Sequence, residues 1–328
     1  MNLQSISERL ESYLIESEDL YWLNWVGLKD EIDIEAVAAK AGDLFSIETI
    51  EFVRSKLQNT QSTEEKHILR SILGQLTLSF MESEGSDIQG KILTREAETT
   101  VEWEGEVIPI RSFGVRIMNQ QDQQKRRDMI ALREKTVDEI INPLKRELVE
   151  KMFLTVRRMG YKNYIELCSE TQDRDFHAFA QEMRRFLEDT EDIYRKYLDA
   201  YLKKANGLGL TTETHSSDLT AVMRYNLFDQ HFPTDTLVPV LEKTVGGMGF
   251  ALDKIHLDLE DRPSKKPRPC VSAVNPPDDV RLTIYPVGGL EDYSGLLHEA
   301  GHAIHFIHDE KDLNFIFKYW GDRGFTEG

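Results

Sequence analysis

The sequence predicts a mainly α, multi-helical fold with a small β-sheet beside one helix that carries the candidate site. Apolar residues recur at three- and four-residue spacing through most of the 328 residues, which is the period of a helix with one buried face. Alternation of apolar with polar residues, the period of a strand, is confined to a few short stretches. Most of the β content is therefore expected next to the candidate helix.

Residues 1–210 are predicted to form a helical N-terminal region that contains one β-hairpin. Several amphipathic patterns precede Gly85, where the last of these helices is expected to stop. Alternating residues then predict a hairpin at about 98–117, with a turn at Glu104-Gly105. Helical periodicity returns after the hairpin, and a helix is expected to end at Gly160.

A long aromatic stripe closes this N-terminal region. It ends at Asn206-Gly207, a pair that favours a helix stop. Stripes of this kind most often pack in a core, so we expect these side chains to be buried. The stripe consists of Phe176, Phe179, Met183, Phe186, Leu187, Tyr194, Tyr197 and Tyr201.

Residues 211–328 differ in character and are predicted to form the region that carries the chemistry. Glycine and proline punctuate this region, and strands are expected at 254–259, 271–274 and 281–285. The loop at 263–269 carries Lys265, Lys266 and Arg268. A short basic run of this kind is expected to lie in solvent.

The chemistry-bearing motif lies on a predicted helix that follows the last of these strands. His298, Glu299 and His302 form the pattern H-E-x-x-H. On a helix, residues four apart share one face, so the two imidazoles can reach one metal ion. Zinc binds imidazole well, and a catalytic zinc keeps three protein ligands and an open position. Glu299 would lie beside the ion, where it can accept a proton from water.

A third ligand is needed, and Glu327 is the candidate. It follows His302 by 25 residues, beyond a second helix-like segment. His305 shares the metal face but is expected to support or pack rather than bind. Gly301 costs about 1 kcal/mol of helix stability relative to alanine, which suggests a close neighbour at that position.

These residues resemble a known family of enzymes. The stretch His298-Glu-Ala-Gly-His-Ala-Ile-His305, followed by Gly324-Phe-Thr-Glu327, resembles the thimet oligopeptidase and oligoendopeptidase F-like family of zinc metallopeptidases. Upstream segments are similar as well: Lys151–Glu166, Gly246–Phe250, Ile255–Arg262 and Arg268–Ala273.

The resemblance implies a fold, an activity and a ligand set. It implies one zinc ion per chain, bound by His298, His302 and Glu327, with Glu299 as the general base. The implied reaction is hydrolysis of peptide bonds in short oligopeptides, held along an edge strand at 270–273. Family members continue well beyond the third ligand, so the catalytic region is expected to be incomplete at its C-terminal side, and the donors that stabilise the oxyanion are not assigned.

Three alternatives stay open. The chain could be a catalytically incomplete fragment that binds zinc or a peptide without cutting. It could be a dipeptidyl- or carboxypeptidase of similar architecture. It could also be a helical scaffold in which H-E-x-x-H is accidental. Each predicts a different outcome for metal content and peptide cleavage.

Composition excludes several other classes. A net charge of -18 argues against a nucleic-acid partner. The sequence shows no signal peptide and no apolar run of membrane-spanning length, so no membrane association is expected. Two distant cysteines fit a reducing compartment, and a cytoplasmic location is expected. The sequence assigns no oligomeric state.

Overall fold

The structure is a computed structural model that describes residues 2–29, 32–207, 209–211, 214–223, 226–262, 265–266, 268–319 and 327. Within these residues, the α-helices are α1 (Leu3–Trp25), α2 (Ile34–Ala41), α3 (Ile47–Asn59), α4 (Thr63–Glu98), α5 (Ile110–Asn119), α6 (Gln123–Ile140), α7 (Asn142–Arg158), α8 (Tyr164–Gln172), α9 (Phe176–Asn206), α10 (Ser216–Met223), α11 (Leu237–Gly247), α12 (Leu290–Ile307) and α13 (Phe315–Tyr319). The strands are β1 (Thr100–Trp103), β2 (Glu106–Pro109), β3 (Ile255–Asp258), β4 (Cys270–Asn275) and β5 (Asp279–Thr283).

The fold is mainly helical, and the predicted fold class is confirmed. The described strands form one two-stranded and one three-stranded sheet, and the larger sheet packs beside α12. Among the described residues, no helix combines the length and the apolarity that crossing a membrane requires.

The chain divides into two compact units that interleave along the sequence. The first unit comprises residues 1–83, 170–173 and 228–328, and the second comprises 84–169 and 174–227. The boundary predicted after residue 210 falls inside the second unit.

The first unit is built around the three-stranded sheet, in the order β3-β5-β4. Strand β3 runs parallel to β5, and β4 runs antiparallel to it. Helix α12 lies against β4 and β5, and α1 packs against β4. The predicted strands at 254–259 and 271–274 match β3 and β4, and that at 281–285 overlaps β5. The buried core of this unit consists of Leu237, Leu241, Val245, Ile255, Val280, Leu282, Ile284, Tyr293, Leu296, Ala300, Ala303 and Ile307.

The second unit packs the C-terminal part of α4 against the β1–β2 hairpin and helices α5 and α6. Its core contains Ile88, Ile92, Val101, Ile108, Ile110, Phe113, Ile117, Met129 and Ile141. A buried ion pair joins α6 to α10, because Arg126 Nη2 lies 3.3 Å from Asp218 Oδ1.

Two predictions for the second unit are wrong at the level of local structure. The hairpin exists, but it ends at Pro109, and residues 110–119 form α5 rather than strand. Helix α4 does not stop at Gly85; instead, a Cβ at Gly85 would lie 2.6 Å from Leu148 Cδ1. Glycine lets α7 approach α4 closely here, so it serves packing rather than termination.

The expectation that the aromatic stripe of α9 forms core is also wrong. Helix α9 ends at Asn206, as predicted, with Gly207 in the left-handed conformation. Most of the stripe is exposed, however, including Phe186 and Tyr197. Periodicity identifies an apolar face on a helix but does not say what covers that face.

Candidate metal and catalytic site

Helix α12 begins at a tight turn that only glycine accommodates. Gly289 has a φ of 104°, and a Cβ there would lie 2.4 Å from an Asp229 carboxylate oxygen. The Asp292 carboxylate accepts hydrogen bonds from the N–H groups of Val287 (2.7 Å) and Gly288 (2.6 Å). These contacts set where the helix begins and therefore which of its residues face the sheet.

The two sides of α12 differ in burial. Its inner side carries Leu296, Ala300, Ala303 and Ile307, all at least 96% buried in the core of the first unit. The motif residues lie on the more open side, where His298 is half exposed, and His302 and Glu299 are partly buried. The apolar residues therefore fix the helix, and the motif faces outward.

Three potential metal ligands converge on this open side. The Nε2 atoms of His298 and His302 are 3.1 Å apart. Glu327 Oε2 lies 3.4 Å from His298 Nε2, and Glu327 Oε1 lies 3.7 Å from His302 Nε2. One ligand atom from each residue lies within 4.8 Å of the others. The structure thus brings together the three side chains that the sequence singled out as ligands.

The donor set and its spacing fit zinc. Zinc bonds to imidazole nitrogen and carboxylate oxygen of about 2.0–2.2 Å place tetrahedral ligand atoms about 3.3–3.6 Å apart. The separations of 3.1, 3.4 and 3.7 Å bracket that range. Three protein ligands leave a fourth position open, the arrangement of a catalytic rather than a structural site.

Glu299 lies beside this cluster and is held by the neighbouring strand. The Val271 N–H donates to Glu299 Oε2 at 3.0 Å. Burial raises the pKa of Glu299, while the Val271 hydrogen bond and the two motif histidines act in the opposite direction. A carboxyl group with a raised pKa is a stronger base, and this one is fixed at the edge of the ligand cluster.

The strand that holds Glu299 is an edge strand. Strand β4 pairs only with β5 among the described strands, and Val271 N–H points toward α12. The start of β4 approaches α12 closely, because a Cβ at Gly295 would lie 2.7 Å from Pro269 Cγ. On its other side, Ser272 Oγ donates to Glu18 Oε2 of α1 at 3.2 Å. Packing from both sides therefore sets the position of the Val271 N–H.

The thiol on this strand lies in an environment that disfavours its thiolate form. Burial, together with the negative charges of Glu299 and Glu18, raises the pKa of Cys270 to about 12. A thiol with such a pKa stays protonated at neutral pH, and only the thiolate attacks carbonyls efficiently.

The other histidines of α12 lie outside the ligand cluster. His305 stacks on Phe306, with ring centroids 5.6 Å apart, and its Nε2 lies 3.9 Å from Asp309 Oδ1. His308 Nδ1 lies 2.8 Å from the Ile304 carbonyl oxygen. Both side chains therefore make contacts of their own outside the ligand cluster.

Two local expectations near the site are wrong. Gly301 has no neighbour within 4 Å of a Cβ placed there, so the close approach occurs at Gly295 instead. The Lys265 side chain is fully buried and bonds Asp258 Oδ1 at 2.5 Å, whereas the sequence placed it in solvent. The sequence reasoning also missed the Val271 N–H, because a backbone donor carries no signal in residue type.

Gly324, Phe325 and Thr326, which belong to the motif around the third ligand, lie outside the described residues.

Among the comparisons with known proteins, only the comparison of structures finds similar proteins. No protein-family model matches the chain. No curated protein matches it in sequence.

Solved structures do resemble the chain. A protein described as an oligoendopeptidase F from Bacillus anthracis str. Ames superposes with a TM-score of 0.56 and 15% identity, over 81% of this chain and 52% of that one. A PZ peptidase A bound to an inhibitor gives a TM-score of 0.59 and 12% identity, over 96% of this chain and 64% of that one. A further oligoendopeptidase F structure superposes with a TM-score of 0.54 and 15% identity, over 92% of this chain and 61% of that one.

These likenesses establish the fold. At 12–15% identity they do not transfer residue roles, and the chain spans between 52% and 64% of the length of these structures. An inference about function therefore rests on the arrangement of His298, Glu299, His302 and Glu327 in this chain. The chain has the multi-helical fold shared by the oligoendopeptidase F and PZ peptidase structures.

Proposed function

We propose that this chain belongs to a zinc-dependent metallopeptidase that hydrolyses peptide bonds in short oligopeptides. The observation that carries the proposal is the convergence of His298 Nε2, His302 Nε2 and the Glu327 carboxylate beside a second, strand-held carboxylate, Glu299. A purely structural zinc site uses four protein ligands and has no need of a fixed base beside it. One zinc ion per chain is expected.

In the proposed mechanism, His298, His302 and Glu327 bind the metal, and Glu299 transfers the proton. When bound, zinc supplies a Lewis acid that polarises the scissile carbonyl and lowers the pKa of water. Glu299 accepts the proton of the attacking water and delivers it to the leaving amine. The Val271 N–H keeps one Glu299 oxygen in place and leaves the other free to meet the water.

The proposed substrate is an extended peptide that pairs with the edge of β4, apart from the Val271 N–H, which Glu299 occupies. An edge strand binds peptides through main-chain hydrogen bonds and does not demand particular side chains. The names of the similar structures, oligoendopeptidase and PZ peptidase, are consistent with this substrate class. Neither Cys168 nor Cys270 forms a disulfide in the described part of the chain, which suits the cytoplasmic location expected from the sequence.

The proposal is tested by measuring bound zinc and peptide cleavage on the same protein samples. Wild type, Glu299→Gln and the control Glu310→Gln, an exposed carboxylate beyond the end of α12, would be compared with a quenched fluorescent peptide library. We expect one zinc per chain in all three proteins and loss of cleavage only in Glu299→Gln. Removal of a general base of this kind lowers the rate by about 10²–10⁴-fold. Absence of stoichiometric zinc in the wild type would refute the proposal.

The same assay separates the alternatives. One zinc without cleavage in any variant indicates a zinc- or peptide-binding protein that lacks a finished site. Cleavage confined to the second bond from a chain end indicates a dipeptidyl peptidase, and cleavage confined to the last bond at the C-terminal end indicates a carboxypeptidase. Cleavage at internal bonds indicates the endopeptidase that we propose.

A further inference from the structure

The middle of α9 carries an apolar face that the described part of the chain leaves in solvent. From residue 181 to residue 197, only Thr190 is partly buried. Apolar side chains on this stretch are 36–70% exposed, and they are Met183, Phe186, Leu187, Ile193, Tyr194 and Tyr197. A contiguous apolar face of this size on a folded chain usually marks an interaction surface.

The spacing on this face is that of a coiled coil. Phe179, Met183, Phe186, Thr190, Ile193 and Tyr197 follow one another at alternating intervals of four and three residues. They occupy d, a, d, a, d and a positions of heptads, a seam that fits a single partner helix. The helix touches its own unit elsewhere, because the buried Leu202 is at an f position on the opposite side. The seam is therefore free to meet a partner helix.

The charges that flank the seam indicate which helix. The g positions are Glu182, Asp189, Lys196 and Lys203. They are acidic in the N-terminal half and basic in the C-terminal half of the face. In an antiparallel helix pair, g positions of one helix lie beside g positions of the other, and such flanking charges set partner and orientation. Two copies of this helix are thus complementary only when they run in opposite directions.

We propose that α9 docks against α9 of a second copy of this chain as an antiparallel coiled coil. A twofold axis near Asp192 and Ile193 pairs Glu182 with Lys203 of the second copy and Asp189 with Lys196 of the second copy. In the same arrangement, Phe186 packs against Tyr197 of the second copy. Such a self-complementary surface is what a symmetric dimer requires. A parallel pair would instead bring the g charges against e positions, which are apolar at Leu187 and Tyr194.

Competing contacts within one copy do not block this pairing. Lys203 Nζ donates to Asp199 Oδ2 at 2.6 Å in the same helix, and both side chains are substantially exposed. An ammonium group has three donors, so Lys203 can keep this bond and still reach a second carboxylate. Among the described residues, Glu182, Asp189 and Lys196 form no ion pair.

The test is sedimentation of the full chain with matched charge variants. The first variant, Glu182→Lys with Asp189→Lys, makes the whole flank basic, and the second, Lys196→Glu with Lys203→Glu, makes it acidic. We expect the wild type to dimerise and each variant alone to associate at least about tenfold more weakly, since four attractive contacts become repulsive. An equimolar mixture of the two variants should recover association.

Further variants show whether the seam itself is responsible. Ile193→Asp places a charge in the seam and should abolish the dimer, while Glu188→Lys, at an exposed f position, should not change it. Circular dichroism should be the same for all variants, because every altered side chain is exposed. A wild type that stays monomeric up to roughly 100 µM overturns the proposal, since its dissociation constant would then lie above the micromolar range of a specific dimer. A dimer that survives Ile193→Asp, or a mixture that fails to associate, also overturns it.

Discussion

Lys265 belongs to a buried charge cluster in the first unit, together with Asp258 and Arg262. Its side chain is fully buried and donates to Asp258 Oδ1 (2.5 Å), to the Asp258 carbonyl oxygen (3.2 Å) and to the Glu260 carbonyl oxygen (3.0 Å). Arg262 binds the same Asp258 carboxylate through two nitrogens, at 2.8 and 3.2 Å. Asp258 therefore compensates two cations at once.

Removing the charge of Asp258 is expected to lower the free energy of unfolding more than removing the charge of Lys265. Asp258→Asn leaves the Lys265 ammonium buried with only neutral partners, and we expect the free energy of unfolding to fall by about 3–5 kcal/mol. Lys265→Met leaves Asp258 with the bidentate Arg262, so we expect a loss of roughly half that size. The asymmetry follows from the number of opposite charges that each group retains.

The pH dependence of stability tests the same cluster. Burial opposes ionisation of Asp258, but the hydrogen bonds and charges of Arg262 and Lys265 outweigh it and lower its pKa below 3.8. A carboxyl group with a lowered folded-state pKa stabilises the protein above the unfolded pKa, and this stability is lost as pH falls through the folded pKa. Wild type should therefore lose stability below about pH 4 more steeply than Asp258→Asn.

Urea unfolding of the three proteins, followed by circular dichroism at pH 7 and at intervals down to pH 3, measures both effects. The slope of the free energy of unfolding against urea concentration should be the same for the three proteins, so that differences in the urea midpoint report differences in stability. Losses below 1 kcal/mol for both variants, or a greater loss for Lys265→Met than for Asp258→Asn, would refute the assignment of Asp258 as the compensating charge for both cations.

Three further predictions concern α12. Gly295→Ala should destabilise the protein by about 1–3 kcal/mol, because the new Cβ would clash with Pro269. The matched Gly301→Ala should stabilise the protein by about 0.5–1 kcal/mol, because no described neighbour lies within 4 Å of its new Cβ. Equal urea midpoints for the two variants would contradict this prediction. Leu296→Ala removes a fully buried side chain and should lower the free energy of unfolding by about 2–5 kcal/mol in the same assay. Zinc at 100 times its dissociation constant should stabilise the wild type by about 2.7 kcal/mol, with no effect on His302→Ala and the full effect on His308→Ala in thermal unfolding.

Several elements of the site follow from local sequence. The four-residue spacing of His298 and His302 needs only a helix to place both rings on one face, and the apolar pattern of α12 specifies that helix. Short β-type stretches of the sequence predict the three strands of the larger sheet, and residues 254–259 alternate in the period of a strand. Helix α9 ends where Asn206-Gly207 predicts, because the left-handed turn at Gly207 is a local preference.

Other features depended on residues that are distant in sequence. Glu327 approaches the two histidines from 25 residues away, and the hydrogen bond from Val271 to Glu299 spans 28 residues. The pattern marked Glu327 as a candidate, but only the fold sets its distances. Nothing in residue type marks a backbone N–H as the group that fixes a carboxylate.

The sequence by itself determined the helical class of this protein, the helix that carries its motif, and the identity of the side chains that the motif presents. These follow from periodicity and from short-range backbone preferences, which act within a few residues. Only the tertiary structure decided that Lys265 is buried, that Gly295 rather than Gly301 is the point of close approach, and that the aromatic face of α9 remains open. Burial and close packing are properties of the surfaces that meet, and no single segment contains both of those surfaces.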